Sequence, residues 1–451
     1  MNWTLAIFAV TTVTTVGVVS SGAKSDKPAP TKPANKVPLK PTYATDVAKI
    51  INDRCVECHR PGEVGPFSLV KFEDAKKWSK MIAATTSSRR MPPWKAKEGY
   101  GSFKHENRLS ETEIATLKVW ADQGAPRGER TKEPKPPTFS GGEWTLGKPD
   151  AIIEPDRAYN LAPEGEDVYR NFVIPTNFTE PRFVTAIDVK PGNSKVVHHV
   201  IMFLDQRGAS DKLAAASKDG QPGYLGQGGG VGFIPTGSLG GWAPGIRASY
   251  LSPGTAYRIN PGTRLVMQVH YHKSGKPETD KTRVALYFSK EAPEREMKLN
   301  WIFNFGVNIP AGEKAYKLRK EYVYQDDVTI HQTMPHMHLL GRDMKSWFEM
   351  PDGTIKPLVH VDDWDFNWQL NYALKEPLKL PKGTKQIVEA VYDNSSENPH
   401  NPNNPPKRVT WGEETTDEMF LMVTAYTFDN PDATANTRRT RLQSLLQRLR
   451  R

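Results

Sequence analysis

The sequence predicts a mainly β protein in which two packed β-sandwiches follow a small α-helical domain. Three observations carry this. The chain of 451 residues holds 37 prolines and 34 glycines, too many breakers for a mainly helical protein. From about residue 145 apolar and polar residues alternate with period two, as in VVHHVIMFL, RLVMQVHYH and KQIVEAVYD. Before that point, three helical segments surround a single Cys-x-x-Cys-His. The β stretch, 145–430, is long for one sandwich, so it is divided into 145–295 and 296–430.

The elements follow in order. Residues 1–23 read as an export signal, with an apolar run ending in small residues and Ser21-x-Ala23 as a cleavage site. The start lacks Lys or Arg, so an uncleaved membrane anchor is the alternative; either way the body leaves the cytoplasm, for the periplasm or the exterior. Residues 24–42 are a Pro- and Lys-rich tether. The helical domain is assigned to 43–128. Val47, Ile50 and Ile51 lead to Cys55, a second helical stretch covers 71–87, and a third covers 110–123. Ser110 is its N-cap, Glu113 completes a capping box, and Gly124 and Pro126 stop it. A Pro-rich linker fills 129–144. The Gly-rich stretch 219–254 reads as a long surface loop, since GQGGGVG lacks a following Gly-Lys-Ser/Thr. The tail, 431–451, is basic and amphipathic, a solvated or docked helix or one that touches an anionic membrane surface.

Formal net charge is +10, but it sits at the ends. Residues 24–42 carry five Lys and one Asp, and six Arg follow Asp432 without an acid. The body is near neutral, which argues against a nucleic-acid partner.

Cysteine usage is sharper. Cys55 and Cys58 are the only two in the chain, and they stand in Cys55-Val-Glu-Cys58-His59. Two thiols followed at once by a histidine are the requirement for covalent haem c: two thioethers to the ring and an axial imidazole beneath it. Met91, in SRRMPPW, is the candidate second axial ligand; Met81 and His105 are alternatives. The segment Thr42–Pro126 resembles class I cytochrome c domains, with Trp120 on the closing helix.

Seven of the 11 histidines fall in three short clusters: His198-His199, His270-Tyr271-His272, and His331 with His336-Met337-His338. Histidines two apart on a strand leave the same face, so His336/His338 and His270/His272 can each grip one metal. His198 and His199 would point oppositely in a regular strand and can share a metal only if the backbone bulges or twists. Imidazole sites without a carboxylate suit copper or zinc over non-haem iron.

The ordered motifs SKVVHHVIMFL, LVMQVHYH, MPHMHLLG and TTDEMFLMVTAY are similar to those of the copper type II ascorbate-dependent monooxygenases, the family of peptidylglycine and dopamine β-monooxygenases. The resemblance covers about 145–430. It implies jelly-roll-like sandwiches and two copper ions per chain, one held by His198, His199 and His270, the other by His336, His338 and Met419. It further implies dioxygen activation and hydroxylation of a C–H bond at the second copper. The haem domain suggests a built-in route for electrons from an external donor. His272 and His331 have no ligand role in that pattern and are candidates for the surrounding shell.

Two positions depart from the amidating enzymes of that family. Met334 stands where they carry an Arg two residues before the His-x-His, and Val423 where they carry a Tyr four residues after the ligand Met. A peptide carboxylate would lack its partners. The expected substrate is therefore a small organic molecule of unread identity. The competing expectations are a haem and copper electron-transfer protein, a copper-binding module, and zinc hydrolysis, which lacks a matching His-Glu-x-x-His.

Overall fold

The computed structural model describes residues 36–139, 143–226 and 230–430. The export segment, most of the tether and the basic tail lie outside the described residues. Among the described residues, no helix is long and apolar enough to cross a membrane.

The chain is mainly β, built from several sheets of largely antiparallel strands in an arrangement consistent with β-sandwiches. Helices come first. A wide turn at Tyr43–Val47, with Val47 buried, runs into the helix Ala48–Arg54, whose Ala48, Ile50 and Ile51 are buried. The stretch expected as one helix over 71–87 is two, Phe72–Lys77 and Ser79–Ser87. The break falls at Trp78, whose ring stacks on Phe67 at 4.4 Å. The helix Glu111–Asp122 starts with the capping box foreseen, Ser110 Oγ accepting from the Glu113 N–H and the Glu113 carboxylate accepting from the Ser110 N–H. Gly124 follows at φ +82°, a conformation costly for any other residue. Val47, Ile51, Leu117 and Trp120 meet in one small core.

Residues 94–104 depart from the sequence expectation. Assigned with the helices, they are built into the second β unit. Ala96 pairs with Val361 and Phe103 with Leu374. Lys97 N–H donates to the His360 carbonyl at 2.7 Å, and Lys104 N–H to that of Ala373 at 2.8 Å. Ile355–Val361 and Tyr372–Leu380 are the edge strands of two different sheets. Each edge carries unpaired backbone groups that need a partner, and the segment supplies one to both. Ala96 and Phe103 join the buried core there. The linker is likewise packed: Arg60 lies 3.9 Å over the Phe139 ring, and Trp144 is buried against Ala186 and Tyr287.

The first β unit has two five-stranded sheets. One carries, in spatial order, Tyr224–Leu225, Val168–Pro175, Arg264–Tyr271, Val197–Asp205 and Gly237–Trp242. Val200, Met202, Met267 and Val269 from this sheet share a core with Val184, Ile259 and Leu286 from the other. The second unit has two four-stranded sheets. One carries Lys298–Phe303, Leu421–Phe428, Val328–His336 and Tyr372–Leu380. Leu421–Phe428 is buried along nearly its whole length. It serves its own core through Met422 and the first unit's core through Ala425. A strand covered on both faces must read as a continuous apolar run, as LMVTAYTF nearly does.

His331 belongs to this junction rather than to a metal site. It is the extra residue of a bulge between Ile330 and Gln332. Its Nδ1 lies 3.0 Å from Ser252 Oγ and its Nε2 3.1 Å from Thr427 Oγ1. Burial first, then the charges of Lys104 and Arg295, push its pKa down to about 4. In the unfolded chain it titrates near 6.5 (approximately). The unfolded state therefore takes the proton first as pH falls, and stability is lost from about pH 6.5 down to about 4. In urea unfolding, His331→Gln is expected to lose about 2 kcal/mol less than the parent between pH 7 and pH 5. Equal losses would refute this role.

Candidate metal centres

The first cluster forms because the bulge anticipated at the adjacent histidines is present. The strand Val197–Asp205 pairs with Arg264–Tyr271 as Val197↔Tyr271 and His199↔His270, leaving His198 as the extra residue. The bulge re-aims one side chain, so neighbours in sequence turn to one point. Nδ1 of His198 lies 3.2 Å from Nδ1 of His199 and 3.2 Å from Nδ1 of His270, and the last two are 3.4 Å apart. Three donors about 2 Å from one ion stand roughly 3.3–3.5 Å apart in tetrahedral or trigonal geometry, so the spacing fits a metal.

Proton bookkeeping supports the fit. Burial, with the neighbouring imidazoles, pushes the His198 pKa down to about 2. His199 is held well below its usual range and His270 is lowered, burial being the main cause in both. All three are neutral at pH 7. Each Nδ1 then bears either a hydrogen or a lone pair, so in a triangle at least two like groups must face each other. A cation between three lone pairs removes that conflict.

Asp167 sets the tautomer of His270. Its carboxylate lies 2.9 Å from His270 Nε2 and 2.9 Å from His272 Nδ1, and it accepts from Thr415 Oγ1 at 2.6 Å. Burial raises the Asp167 pKa, but the hydrogen bonds from His270, His272 and Thr415 outweigh it and hold the carboxyl well below the ordinary range. An acceptor at Nε2 places the hydrogen there and leaves the Nδ1 lone pair facing the cluster. His272 also brings a ring nitrogen within 4.8 Å of those of His198 and His270. The tighter triangle is that of His198, His199 and His270, since His272 Nδ1 is turned to Asp167 and its side chain is about one-third exposed, at 35%. Tyr169 stacks on His270 at 4.1 Å and donates its hydroxyl hydrogen to the Glu413 carbonyl.

The second cluster lies at the end of Val328–His336. The rings of His336 and His338 are 5.2 Å apart and nearly perpendicular. His336 Nδ1 donates to Gln369 Oε1 at 2.7 Å, and His338 Nδ1 to the Asp417 carbonyl at 3.2 Å. Both Nε2 atoms are thereby left as lone-pair donors. Burial pushes the His336 pKa down to about 4 and that of His338 well below its usual range. Met419 is buried on the neighbouring strand's approach. The ladder ends at His336 and Leu421, and two residues beyond it the backbone N–H groups of His338 and Met419 both donate to Glu418 Oε1, which ties the two chain segments together there. Two imidazoles joined by a thioether would make a soft set suited to Cu(I).

Glu418 braces this corner. Fully buried, it accepts from the backbone N–H groups of His338, Leu340 and Met419, the last two at 2.9 and 2.8 Å. Burial pushes its carboxyl up to about 8 against the pull of those donors. One ring joins the two clusters. Phe366 is stacked 4.8 Å from His198 and lies edge-on 5.6 Å from His338.

In the helical unit the Cys-x-x-Cys-His loop closes a turn, with the His59 N–H donating to the Cys55 carbonyl at 2.9 Å. His59 Nδ1 lies 3.1 Å from the Phe67 carbonyl, which takes its hydrogen and leaves Nε2 for an axial position. Cys55 and Cys58 are unbridged and partly exposed. Gly65 must be glycine, since a Cβ there would stand 2.5 Å from the Cys58 carbonyl. Thiols, freed imidazole nitrogen and close loop together fit a covalently held haem. Of the candidate distal ligands, Met81 and His105 are exposed, and Met91 alone is half-buried. The loop is tied to the first β unit by ion pairs from Glu57 to Arg247 and from Glu63 to Lys190.

Sequence reasoning missed Asp167, Tyr169, Phe366, Gln369 and Glu418. Glu418 left a trace, a charged residue directly before an apolar strand in DEMFLMV. The others lie in loops or at strand ends, where periodicity says nothing.

No family model matches the chain, and no curated protein matches it. Solved structures resemble it only distantly. PNGF-II aligns over 62% of this chain at 8% identity with a TM-score of 0.26, and this chain spans 64% of that one. The major capsid protein P2 of bacteriophage PM2 aligns over 62% of this chain and 97% of its own at 9% identity, TM-score 0.25. The VP2 subviral particle of infectious bursal disease virus covers 66% of this chain and 85% of its own at 9% identity, TM-score 0.17. Likenesses this weak bear on neither the sites nor the chemistry.

Proposed function

We propose that this chain is an exported, copper-dependent monooxygenase fed with electrons through its own haem c. The observation that carries the reading is the pair of separate donor sets, three imidazoles in one and two imidazoles near a thioether-bearing strand in the other, facing each other across Phe366. Two copper ions and a haem would supply electron storage and dioxygen reduction when bound. The reaction class is R–H + O2 + 2 e⁻ + 2 H⁺ → R–OH + H2O, with both electrons from an external periplasmic reductant or redox protein. Jelly-roll-like β units, class I cytochrome c character for residues 43–128, and membrane-surface contact by the basic tail belong to the same proposal.

The chain's own residues have definable parts in it. Asp167 would fix the tautomer of His270, and Gln369 and the Asp417 carbonyl those of His336 and His338. Phe366 would keep water from the space between the clusters. His59 and Met91 would hold the haem iron.

Metal analysis and oxygen uptake on the reduced protein test the reading. Copper near two per chain is expected, with oxygen uptake falling at least about 100-fold in Met419→Ala while the haem spectrum stays intact. Zinc in place of copper, or copper with oxygen uptake indifferent to Met419, would overturn it. Copper and haem that exchange electrons without consuming oxygen would leave an electron-transfer protein.

A further inference from the structure

One loop of the first β unit touches both the Cys-x-x-Cys-His loop and the second metal corner. It follows the strand Gly237–Trp242. Its Arg247 forms an ion pair with Glu57, which lies between the two cysteines. The guanidinium also hydrogen-bonds the Cys58 sulfur. That sulfur would carry one of the two thioethers, so Arg247 stands at the edge by which a haem is attached.

Two residues back, the same loop meets the segment that holds His336. The Gly245 backbone lies so close to this segment that a Cβ there would stand 3.2 Å from Trp368 Cε3 and 3.1 Å from Leu370 Cδ2. Between Trp368 and Leu370 sits the buried Gln369, whose Oε1 accepts from His336 Nδ1 at 2.7 Å. From the Cys58 sulfur to the His336 ring there is thus a hydrogen bond at each end, covalent chain between, and a single van der Waals step, Gly245 to Trp368. The three-histidine cluster lacks such a link to this loop. Its ring nitrogens are turned to one another and to Asp167. Trp242 pairs with Val200, beside His199, but four residues of chain separate it from Arg247, and the link runs through backbone rather than to a ligand ring. Electrons tunnel better through bonds than across gaps, and the bonded route ends on His336.

We infer that Arg247, Trp368 and Gln369 form an electron inlet from the haem to the site of His336 and His338, so that this site is reduced before the three-histidine cluster. The inference rests on the haem and copper of the proposed function and adds where the electrons arrive. Each transfer moves one electron, Fe(II) going to Fe(III) and Cu(II) to Cu(I), with no bond made or broken. The external donor already named restores the haem.

The test uses the full-length holoprotein without oxygen. A flash with a deazaflavin photoreductant reduces the haem, and its reoxidation by Cu(II) is followed at the haem absorbance band, with the copper EPR signal read on freeze-quenched samples. In His270→Ala the electron should still reach copper, with loss of the EPR signal of the His336 site. In His338→Ala, which keeps the three-histidine site, reoxidation should slow at least about tenfold. Trp368→Leu, with copper content unchanged, should slow the same step about tenfold. In the copper-free haem protein, Arg247→Met should speed amide exchange over residues 55–65 about tenfold, because the loop loses its tie to the β body. Reoxidation in His338→Ala as fast as in the parent, reoxidation indifferent to Trp368→Leu, or exchange indifferent to Arg247→Met overturns the inference. An electron that reaches the His336 site as expected in a protein that takes up no oxygen upholds the inlet and removes the monooxygenase reading instead.

Discussion

His270→Ala is expected to lower bound copper from about two ions per chain to about one, with the remaining ion held by His336, His338 and Met419. The substitution removes one corner of the Nδ1 triangle and leaves Asp167 without one of its partners. His338→Ala should remove the other ion and spare the first. Asp167→Asn provides the finer test. An amide can no longer accept from both His270 and His272 as a carboxylate does, so the ligand's orientation is less firmly fixed. Affinity at the three-histidine site should fall about 10- to 100-fold, with the second site unchanged. Metal analysis after dialysis against graded chelator reads all three variants. Loss of both ions from His270→Ala would mean one shared centre, and loss of neither would mean that the triangle holds no metal.

Glu418→Ala is expected to be the most destabilising single change in the second β unit, at about 4 kcal/mol. It leaves the buried N–H groups of His338, Leu340 and Met419 without an acceptor. An orphaned buried donor costs roughly 1–3 kcal/mol, far more than the net worth of the bond it replaces. Glu418→Gln keeps one acceptor oxygen and should lose about half as much. Guanidinium unfolding followed by tryptophan fluorescence gives the comparison. A Glu418→Ala protein as stable as the parent would show that the loop re-pairs those groups elsewhere. The same variant should bind copper more weakly at the second site, because the clamp holds the backbone of both His338 and Met419.

What the sequence made legible follows from where side-chain spacing is informative. His336 and His338 stand out because a period of two puts them on one face. Ser110 and Glu113 stand out because a capping box is local. His198 and His199 were readable as a pair, but the bulge that unites them depends on pairing with Arg264–Tyr271, a partner distant in the chain. Asp167 was unreadable for the same reason: it reaches the histidines only because Val168–Pro175 lies beside the His270 strand. Met419 entered through family resemblance alone, since a methionine before an apolar strand looks like any core residue. Residues 94–104 have no periodicity, so nothing local announced that they would cover two sheet edges.

That last segment bears on how the protein can be taken apart. Ala96 and Phe103 fill the interior of the second β unit while the chain on either side of them belongs to the helices. A version beginning at residue 145 would therefore lose more than the helices. It would present two bare strand edges and a vacated interior, and should be recovered as aggregate. The helical part and the β body are thus one indivisible architecture, joined by a shared hydrophobic filling as well as by a tether.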